Sequence, residues 1–104
     1  MHHRFKETDD AHFDTDLRSN SLVLVKFTGH WCPPCRAIQP TLEALVSERA
    51  DLVVLSLDVD EHQGVAQRYG VRSLPTLIAF KDGRPIGQYV GAASRSTLEK
   101  LLPH

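Results

Sequence analysis

The chain carries no surplus of charge of either sign, since twelve lysines and arginines stand against thirteen aspartates and glutamates. It therefore lacks the basic excess typical of nucleic-acid binding, and it has no acidic tail for a basic partner. It has no apolar run near the roughly 18 residues that span a bilayer, and its first 21 residues hold no apolar stretch of signal-peptide length. We therefore expect a cytoplasmic protein with no nucleic-acid or membrane partner, unless a leader precedes this sequence.

Cysteine is also scarce, because Cys32 and Cys35 are the only two in the chain. A disulfide between them would close a very small loop, so its stabilising effect through loop entropy is slight. A structural zinc site needs about four ligands, and the six histidines show no ligand spacing, so no metal site is predicted. Two interpretations remain: a chemically reactive pair, which we favour, or two buried thiols that pack as small apolar groups.

Two apolar runs rich in β-branched residues predict buried strands, over residues 22–27 and 52–57. Between them, apolar residues recur at helical spacing in a segment that starts just after Cys35. The order strand, helix, strand predicts a parallel pair of strands joined by a right-handed crossover.

Three further elements are predicted in the second half of the chain. A helix is expected over residues 61–69, where Gly70 suits the position just past its end. Strands over 76–80 and 86–90 flank an Asp-Gly pair, which is a strong signal of a hairpin turn. These two strands are therefore expected to be antiparallel.

The ends of the chain complete the predicted fold. Ser94 or Ser96 is expected to cap a last helix, and a short strand over 4–7 precedes a helix over 11–18. The sequence shows no repeat and no linker. We predict a single α/β domain over residues 1–104, with a central mixed sheet flanked by helices on both faces.

The cysteine pair stands at the start of a helix that follows a buried strand, which suits a dithiol catalyst. The sulfur of Cys32 would meet unpaired backbone N–H groups and the positive end of the helix, and both stabilise a thiolate. The sulfur of Cys35, one turn later on the same face, could reach Cys32 and expel a substrate thiol from a mixed disulfide. The spacing therefore favours thiol-disulfide exchange.

Several segments resemble the thioredoxin family, and the resemblance covers essentially the whole chain. Residues 31–35, Trp-Cys-Pro-Pro-Cys, resemble the family's Trp-Cys-Gly-Pro-Cys, and Pro40 stands where the family's long helix kinks. Residues 69–76 resemble its loop with a cis-proline, while 80–83 and 90–91 resemble its final hairpin. A cysteine pair at this spacing is a moderate signal alone, but joined to the Pro-Thr loop it is strong.

The resemblance implies a thioredoxin fold and an enzyme that reduces disulfides in partner proteins. It implies that Cys32 is the nucleophile, that Cys35 is the resolving thiol, and that Pro75 is a cis residue packed against the disulfide. Four residues would border an apolar groove for the substrate chain: Trp31, Leu74, Gly91 and Ala92.

The resemblance also implies a source of electrons. NADPH would supply them through a thioredoxin reductase, with no cofactor bound to the chain itself. We expect a monomer that serves electron transport and cell redox homeostasis. Two alternatives stay open: a more oxidising exchange protein, and a thioredoxin-fold binding module whose redox activity is incidental.

The sequence departs from the family close to the cysteines. Pro33 replaces the usual glycine, so Pro33 and Pro34 fill the first two helix positions and offer no N–H to Cys32. Lys26 stands where most members have a buried aspartate that handles the proton of the resolving cysteine, and Ser56 replaces a lysine of the neighbouring strand. Lys26, the two prolines and the cis residue Pro75 are therefore expected to tune the redox site.

The roles of Lys26 and His30 are open at this stage. Lys26 could reach water past the end of its strand or be buried with a function. We predict that it faces Ser56 and Asp58, stays charged, and stabilises a thiolate without acting as a base. For His30, an exposed histidine with no role is favoured over one that tunes the site by its charge.

Overall fold

The computed structural model describes residues 4–103, which form five strands and five helices. In chain order these are β1 (Phe5–Glu7), α1 (Phe13–Arg18), β2 (Leu22–Thr28), α2 (Pro33–Ala37), α3 (Gln39–Glu48), β3 (Leu52–Asp58), α4 (Gly64–Arg68), β4 (Thr76–Lys81), β5 (Arg84–Val90) and α5 (Arg95–Leu101). None of these helices combines the length and the apolar character that a membrane-spanning helix needs.

The strands form one mixed sheet in the order β1-β3-β2-β4-β5. The first three of these are parallel to one another, whereas β4 is antiparallel to both β2 and β5. The two apolar runs lie side by side as predicted, with Leu22 opposite Leu52. In the β4–β5 hairpin, Asp82 and Gly83 have φ values of 51° and 81°. Positive values at both positions are what a two-residue hairpin turn requires.

Both edges of the sheet are short or irregular. β1 has three residues, of which Lys6 and Glu7 are charged and exposed. On the other edge the register of β4 and β5 shifts between Ala79 and Phe80, and Phe80 lies opposite Pro85. A register shift of this kind bends the edge strand, and the proline offers no N–H for pairing.

The sheet separates two apolar layers because successive strand residues point to opposite faces. Leu22 and Leu24 of β2 lie in one layer, which is completed by α3 and α5. Val23, Val25 and Phe27 lie in the other layer, which is completed by α1 and α4. Helices therefore cover both faces of a mixed sheet, which confirms the predicted fold class.

Helix α4 begins at Gly64, so the prediction of a helix from residue 61 is wrong. Residues 58–62 instead form a turn, in which the N–H of His62 donates to the carbonyl of Asp58 at 2.9 Å. The carboxylate of Asp10 then caps α4 from outside the helix. It accepts hydrogen bonds from the N–H groups of Gly64 and Val65, each at 2.9 Å.

The helix predicted after Cys35 is present as two segments, α2 and α3, with Ile38 between them. Pro40 occupies the second position of α3, where a missing N–H breaks no helical hydrogen bond. The predicted starts of β1 and α1 were one and two residues too early, respectively. The cap of α5 is Ser94, whose hydroxyl accepts a hydrogen bond from the N–H of Thr97.

Candidate active site

The two cysteines lie where the loop after β2 enters α2. Cys32 is the residue that caps the helix, with φ −144° and ψ 82°, and Cys35 lies in the first turn. They form a disulfide with Cα atoms 5.2 Å apart. Cys32 keeps 4% of its surface exposed and Cys35 keeps 1%. The pair can therefore interconvert between dithiol and disulfide within one helical turn, with Cys32 nearer to solvent.

Pro33 and Pro34 fill the first two positions of α2, as predicted. Neither has an N–H, so Cys35 is the first helical residue that could donate a backbone hydrogen bond to the sulfur of Cys32. The next N–H, of Arg36, donates to the carbonyl of Cys32 at 3.2 Å. In the disulfide form, the Cys32 side chain accepts no capping hydrogen bond.

The loop before β4 lies next to the loop that carries the cysteines, through Leu74 beside Gly29. The peptide bond between Leu74 and Pro75 is cis, as the resemblance implied, and Pro75 is buried. The Thr76 hydroxyl donates to the carbonyl of Ser73 at 2.6 Å. The N–H of Gly91 donates to the carbonyl of Pro75 at 2.8 Å, which ties the end of β5 to this loop.

The cysteine loop and the cis-proline loop approach each other closely at Gly29. A methyl group on Gly29 would lie 2.8 Å from a side-chain carbon of Leu74 and 3.0 Å from a carboxylate oxygen of Asp60. Leu74 is half-buried beside this contact, whereas Trp31 is 90% exposed and Ala92 is exposed. The tryptophan directly before Cys32 is therefore apolar surface open to solvent, and Leu74 is partly so.

Lys26 is buried on the sheet face that α3 covers, at 5% exposure. Its ammonium donates a hydrogen bond to Oε1 of Gln39 at 2.9 Å, and Nε2 of Gln39 donates to Oε2 of Glu43 at 3.1 Å. Burial lowers the pKa of Lys26, and the negative charge of Glu43 opposes that effect. Ser56 lies opposite Lys26 in the parallel register, as predicted.

Asp58 is not the partner of Lys26, so that expectation was wrong. One oxygen of Asp58 accepts the N–H of Asp60 at 2.8 Å, and the other lies 2.9 Å from Nε2 of His30. Asp58 does not reach Lys26 because it is the last residue of β3, and its carboxylate binds groups of the turn that follows and of the neighbouring loop. Gln39 is thus a site residue that sequence reasoning missed, although its place four residues after Cys35 was a usable signal.

His30 is exposed, but it is held by three carboxylates rather than left without contacts. Its N–H donates to Oδ2 of Asp60 at 2.7 Å, and its Nε2 lies 2.9 Å from oxygens of both Asp58 and Glu61. The hydrogen bond to Glu61, and then the charge of Asp58, raise the pKa of His30. The run of acids directly after β3 was the sequence signal for this cluster, because parallel β2 and β3 end at the same edge.

Ligand atoms of His30, Asp58 and Asp60 lie within 4.8 Å of one another, a spacing that could suit a metal ion. The imidazole of His30 contacts Asp58, and the backbone N–H of His30 donates to Asp60, so these contacts already account for the cluster. The geometry therefore supplies no reason to place a metal there.

A disulfide pair at a helix start, faced by a cis-proline loop on a helix-flanked mixed sheet, defines a class of proteins that exchange thiols and disulfides. The thioredoxin family model matches residues 4–104. The chain belongs to the thioredoxin family.

Known relatives are similar over most of the chain. The thioredoxin of Mycobacterium tuberculosis is 50% identical over 95 residues, which cover 89% of this chain and 82% of the relative. The thioredoxin of Chlamydia muridarum is 42% identical over 87 residues, with coverage of 84% and 85%.

Solved structures of thioredoxins have the same fold. A mutant thioredoxin from Halobacterium salinarum superposes with a TM-score of 0.86 at 35% identity, covering 93% of this chain and 86% of the other. The thioredoxin of Plasmodium falciparum gives 0.84 at 33% identity, with coverage of 92% and 94%. With this family and a disulfide-forming pair, the chain is a thiol-disulfide oxidoreductase that reduces protein disulfides. No observation favours a binding module or a more oxidising exchange protein.

Proposed function

We propose that Cys32 is the nucleophile and Cys35 the resolving thiol of this reductase. The observation that carries the assignment is the difference in position: Cys32 caps the helix at the rim of the site, whereas Cys35 lies inside the first turn at 1% exposure. Cys32 keeps 4% of its surface exposed, so its sulfur is the one we assign to meet an incoming disulfide, and the sulfur of Cys35 is within bonding reach of it.

The reaction proceeds in two exchanges. The Cys32 thiolate attacks one sulfur of the substrate disulfide, that S–S bond breaks, and one substrate thiolate leaves. The thiol of Cys35 then loses its proton, and the resulting thiolate attacks the sulfur of Cys32 in the mixed disulfide. The second substrate thiolate leaves as the Cys32-Cys35 disulfide forms. Two electrons pass to the substrate, and protons from solvent complete its two thiols.

Four residues form the proposed substrate groove: Trp31, Leu74, Gly91 and Ala92. Trp31, next to Cys32 in the chain, is exposed, and Leu74 is half-buried beside Gly29 of the cysteine loop, so both could offer apolar surface to a substrate. Gly91, with φ 110°, lets the backbone turn beside the cis-proline loop without a side chain in the way. Pro75 would hold that loop against the disulfide.

Lys26, Pro33 and Pro34 are the proposed tuning residues. The prolines withhold backbone donors from the Cys32 thiolate. Lys26 acts as a cation beneath the site, which favours a thiolate but offers no lone pair to a proton. The reduction potential follows the relative stability of the dithiol and disulfide forms. In the dithiol form Lys26 would stabilise the thiolate and the prolines would destabilise it, so their effects on the potential oppose each other.

NADPH, through a thioredoxin reductase, is the proposed electron source, and disulfide-containing proteins are the proposed substrates. We also propose a cytoplasmic, monomeric protein that serves electron transport and redox homeostasis. The chain has a near-neutral charge balance and an exposed tryptophan directly before Cys32, which suits transient docking of varied protein partners.

Replacement of each cysteine by serine tests the enzymatic proposal. With dithiothreitol or a reductase and NADPH as electron source, the wild type should reduce a disulfide-containing protein such as insulin. Cys32→Ser and Cys35→Ser should each abolish turnover, while circular dichroism shows both proteins folded. Normal turnover by the folded Cys32→Ser protein would contradict the assignment.

A further inference from the structure

Lys26 has an unusual environment among the residues the structure describes, where it is the one charged side chain that is almost fully buried. Its ammonium has three protons to donate. Within residues 4–103 the acceptor that contacts it is Oε1 of Gln39, at 2.9 Å. A buried ammonium with one neutral partner would ordinarily tend to lose its proton, because burial disfavours the charged form.

Gln39 is held from both sides. Its Oε1 accepts from Lys26, and its Nε2 donates to the carboxylate of Glu43 at 3.1 Å. A carboxylate on the N–H side of an amide polarises it and makes its oxygen a better acceptor for a cation. Glu43 itself is exposed, so the negative charge stays hydrated while its effect reaches the buried amine. The arrangement supports the ammonium without burying a second charge.

The hydrogen bonds that join Lys26, Gln39 and Glu43 start directly after α2, the helix that carries Cys35. Gln39 is the first residue of α3 and stands four positions, or about one helical turn, after Cys35. Cys35 is buried at 1% exposure, so solvent only weakly screens a charge that lies close to its sulfur. Stabilisation of a thiolate by a cation is strongest in such a poorly hydrated place.

Other charged groups near Lys26 are engaged elsewhere or lie in water. On β3, Asp58 shares the face of Lys26 two residues further on, but its oxygens bind Asp60 and His30. On β4, the residue opposite Lys26 is Leu77, which carries no charge. On α2, Arg36 is exposed. Glu43 is therefore the acid that acts on the ammonium.

We propose that Gln39 is a positioning residue of the dithiol site, which keeps Lys26 in its ammonium form by connecting it to Glu43. This proposal rests on the reductase mechanism given above and extends it to two residues outside the family motif. With the proton held on Lys26, the proton of Cys35 must pass to water in the resolving step, and the cation lowers the pKa of that thiol. Gln39 and Glu43 act through Lys26 and touch no substrate.

The first measurement is the titration of Lys26 itself, followed by NMR of its side-chain carbon and nitrogen nuclei. Gln39→Leu should lower the midpoint by about one pKa unit, a tenfold loss of proton affinity, because the amine loses its acceptor. Glu43→Gln should lower it by less, and Gln39→Glu should raise it. Asp82→Asn, which removes an exposed acid at the β4–β5 turn beyond the opposite end of β2 from Lys26, is the matched control and should leave the midpoint unchanged.

The second measurement is the pKa of the Cys35 thiol in a Cys32→Ser background, where the ultraviolet absorbance of the thiolate reports one sulfur. Gln39→Leu should raise that pKa by up to about one unit, and Glu43→Gln should raise it by less. A merely structural role for Gln39 would change the free energy of unfolding but neither titration, and constant midpoints would overturn the proposal. If the leucine variant does not fold, Glu43→Gln decides alone: a lower Lys26 midpoint supports the proposal, and an unchanged one overturns it.

These titrations do not depend on turnover. A protein with no reductase activity would contradict the function but leave both midpoints interpretable. An active reductase whose midpoints ignore Gln39 and Glu43 would contradict only the inference drawn here.

Discussion

At the scale of a single residue, the proposed charge on Lys26 determines where the proton of Cys35 can go. If Lys26 stays charged as proposed, it cannot accept that proton, and the resolving step would depend on water. Its rate should therefore be low at neutral pH and should rise as the thiol ionises. The strand that carries Lys26 leads into the cysteine loop, which is why one side chain there can govern the step.

Lys26→Asp should accelerate resolution of a mixed disulfide at neutral pH, by about tenfold or more, because it supplies a base. Stopped-flow measurement of that step between about pH 6 and 9 checks it, in a range around the ordinary cysteine pKa. Lys26→Met is the matched control, since it removes the cation without adding a base, and it should not accelerate the step. A folded Lys26→Asp protein that resolves more slowly would show that the lysine accepts the proton itself.

The two sulfurs should differ in their reaction with an alkylating reagent. Brief treatment of the reduced protein at neutral pH should modify Cys32 alone, because Cys35 lies deeper in the helix at 1% exposure. Mass spectrometry of peptides from the treated protein checks the site. The Cys35→Ser protein should be labelled as fast as the wild type, and preferential labelling of Cys35 would reverse the proposed roles.

His30 should report its carboxylate neighbours through its own titration. Its folded pKa is raised above the usual 6.5, chiefly by the hydrogen bond to Glu61. The resulting stabilisation is fully present below the unfolded pKa and is lost as pH rises through the folded one. Glu61→Gln should therefore lower the midpoint of the His30 imidazole in proton NMR, whereas Glu7→Gln should not. An unmoved midpoint in Glu61→Gln would remove this carboxylate as the cause.

At the scale of elements, helix α4 depends on a residue far away in sequence. Its own N-terminal flank provides no side-chain cap, and the carboxylate of Asp10, 54 residues before Gly64, takes that place. Gly64 makes the contact possible, since a methyl group there would lie 3.1 Å from the Asp10 carboxylate. Glycine has a low helix propensity, but at this position the missing side chain leaves room for the Asp10 carboxylate that caps the helix.

Asp10→Ala should lower the free energy of unfolding by about 1 kcal/mol through loss of the cap, measured by urea denaturation. Asp10→Asn should keep most of that stability at neutral pH, because asparagine caps comparably. The hydrogen bonds from Val65 and Gly64 lower the pKa of Asp10, so its contribution is present above the unfolded pKa and lost as pH falls through the folded one. Equal stability of the alanine variant and the wild type would contradict the cap.

The strands β2 and β3 and the β4–β5 turn were predicted correctly because short stretches of sequence determine them. The apolar runs of β2 and β3 are unbroken because helices cover both faces of the sheet, and the Asp-Gly turn fixes its own geometry. The start of α4 and the contact between Lys26 and Gln39 depend on side chains brought together by the fold. Asp10 and Gly64 are 54 residues apart, and Lys26 and Gln39 lie on a strand and a helix whose relative placement only the fold sets, so local periodicity predicts neither contact. The cysteine roles, by contrast, follow from one short motif and stay predictions.

At the scale of the whole molecule, the two apolar layers share the central strand β2, whose alternate residues enter each layer. If one layer unfolded, β2 would lose the packing on one face and could no longer hold its residues in the other layer. We therefore expect that neither layer unfolds alone. This expectation also tests the prediction of a single domain over residues 1–104, which the match to residues 4–104 supports.

Leu42→Ala in one layer should cost about 2–5 kcal/mol, and Phe80→Ala in the other about 3–5 kcal/mol. Both residues are fully buried. Far-UV circular dichroism reports the helices and strands, and near-UV signals report Tyr69, which packs against Phe80 at 5.4 Å between ring centres. In each variant the two signals should give one coincident transition in urea. Separate transitions would show two independently folding units.

The irregular sheet edges bear on how this protein behaves in a crowded solution. An open strand edge can recruit a strand from another molecule and start aggregation. Here one edge is a three-residue strand in which Lys6 and Glu7 are charged, and the other is bent by a shifted register and contains Pro85. Within residues 4–103, neither edge presents a long, flat row of free N–H and carbonyl groups. The described backbone is therefore a poor template for amyloid-like growth, even though the side chain of Trp31 is exposed.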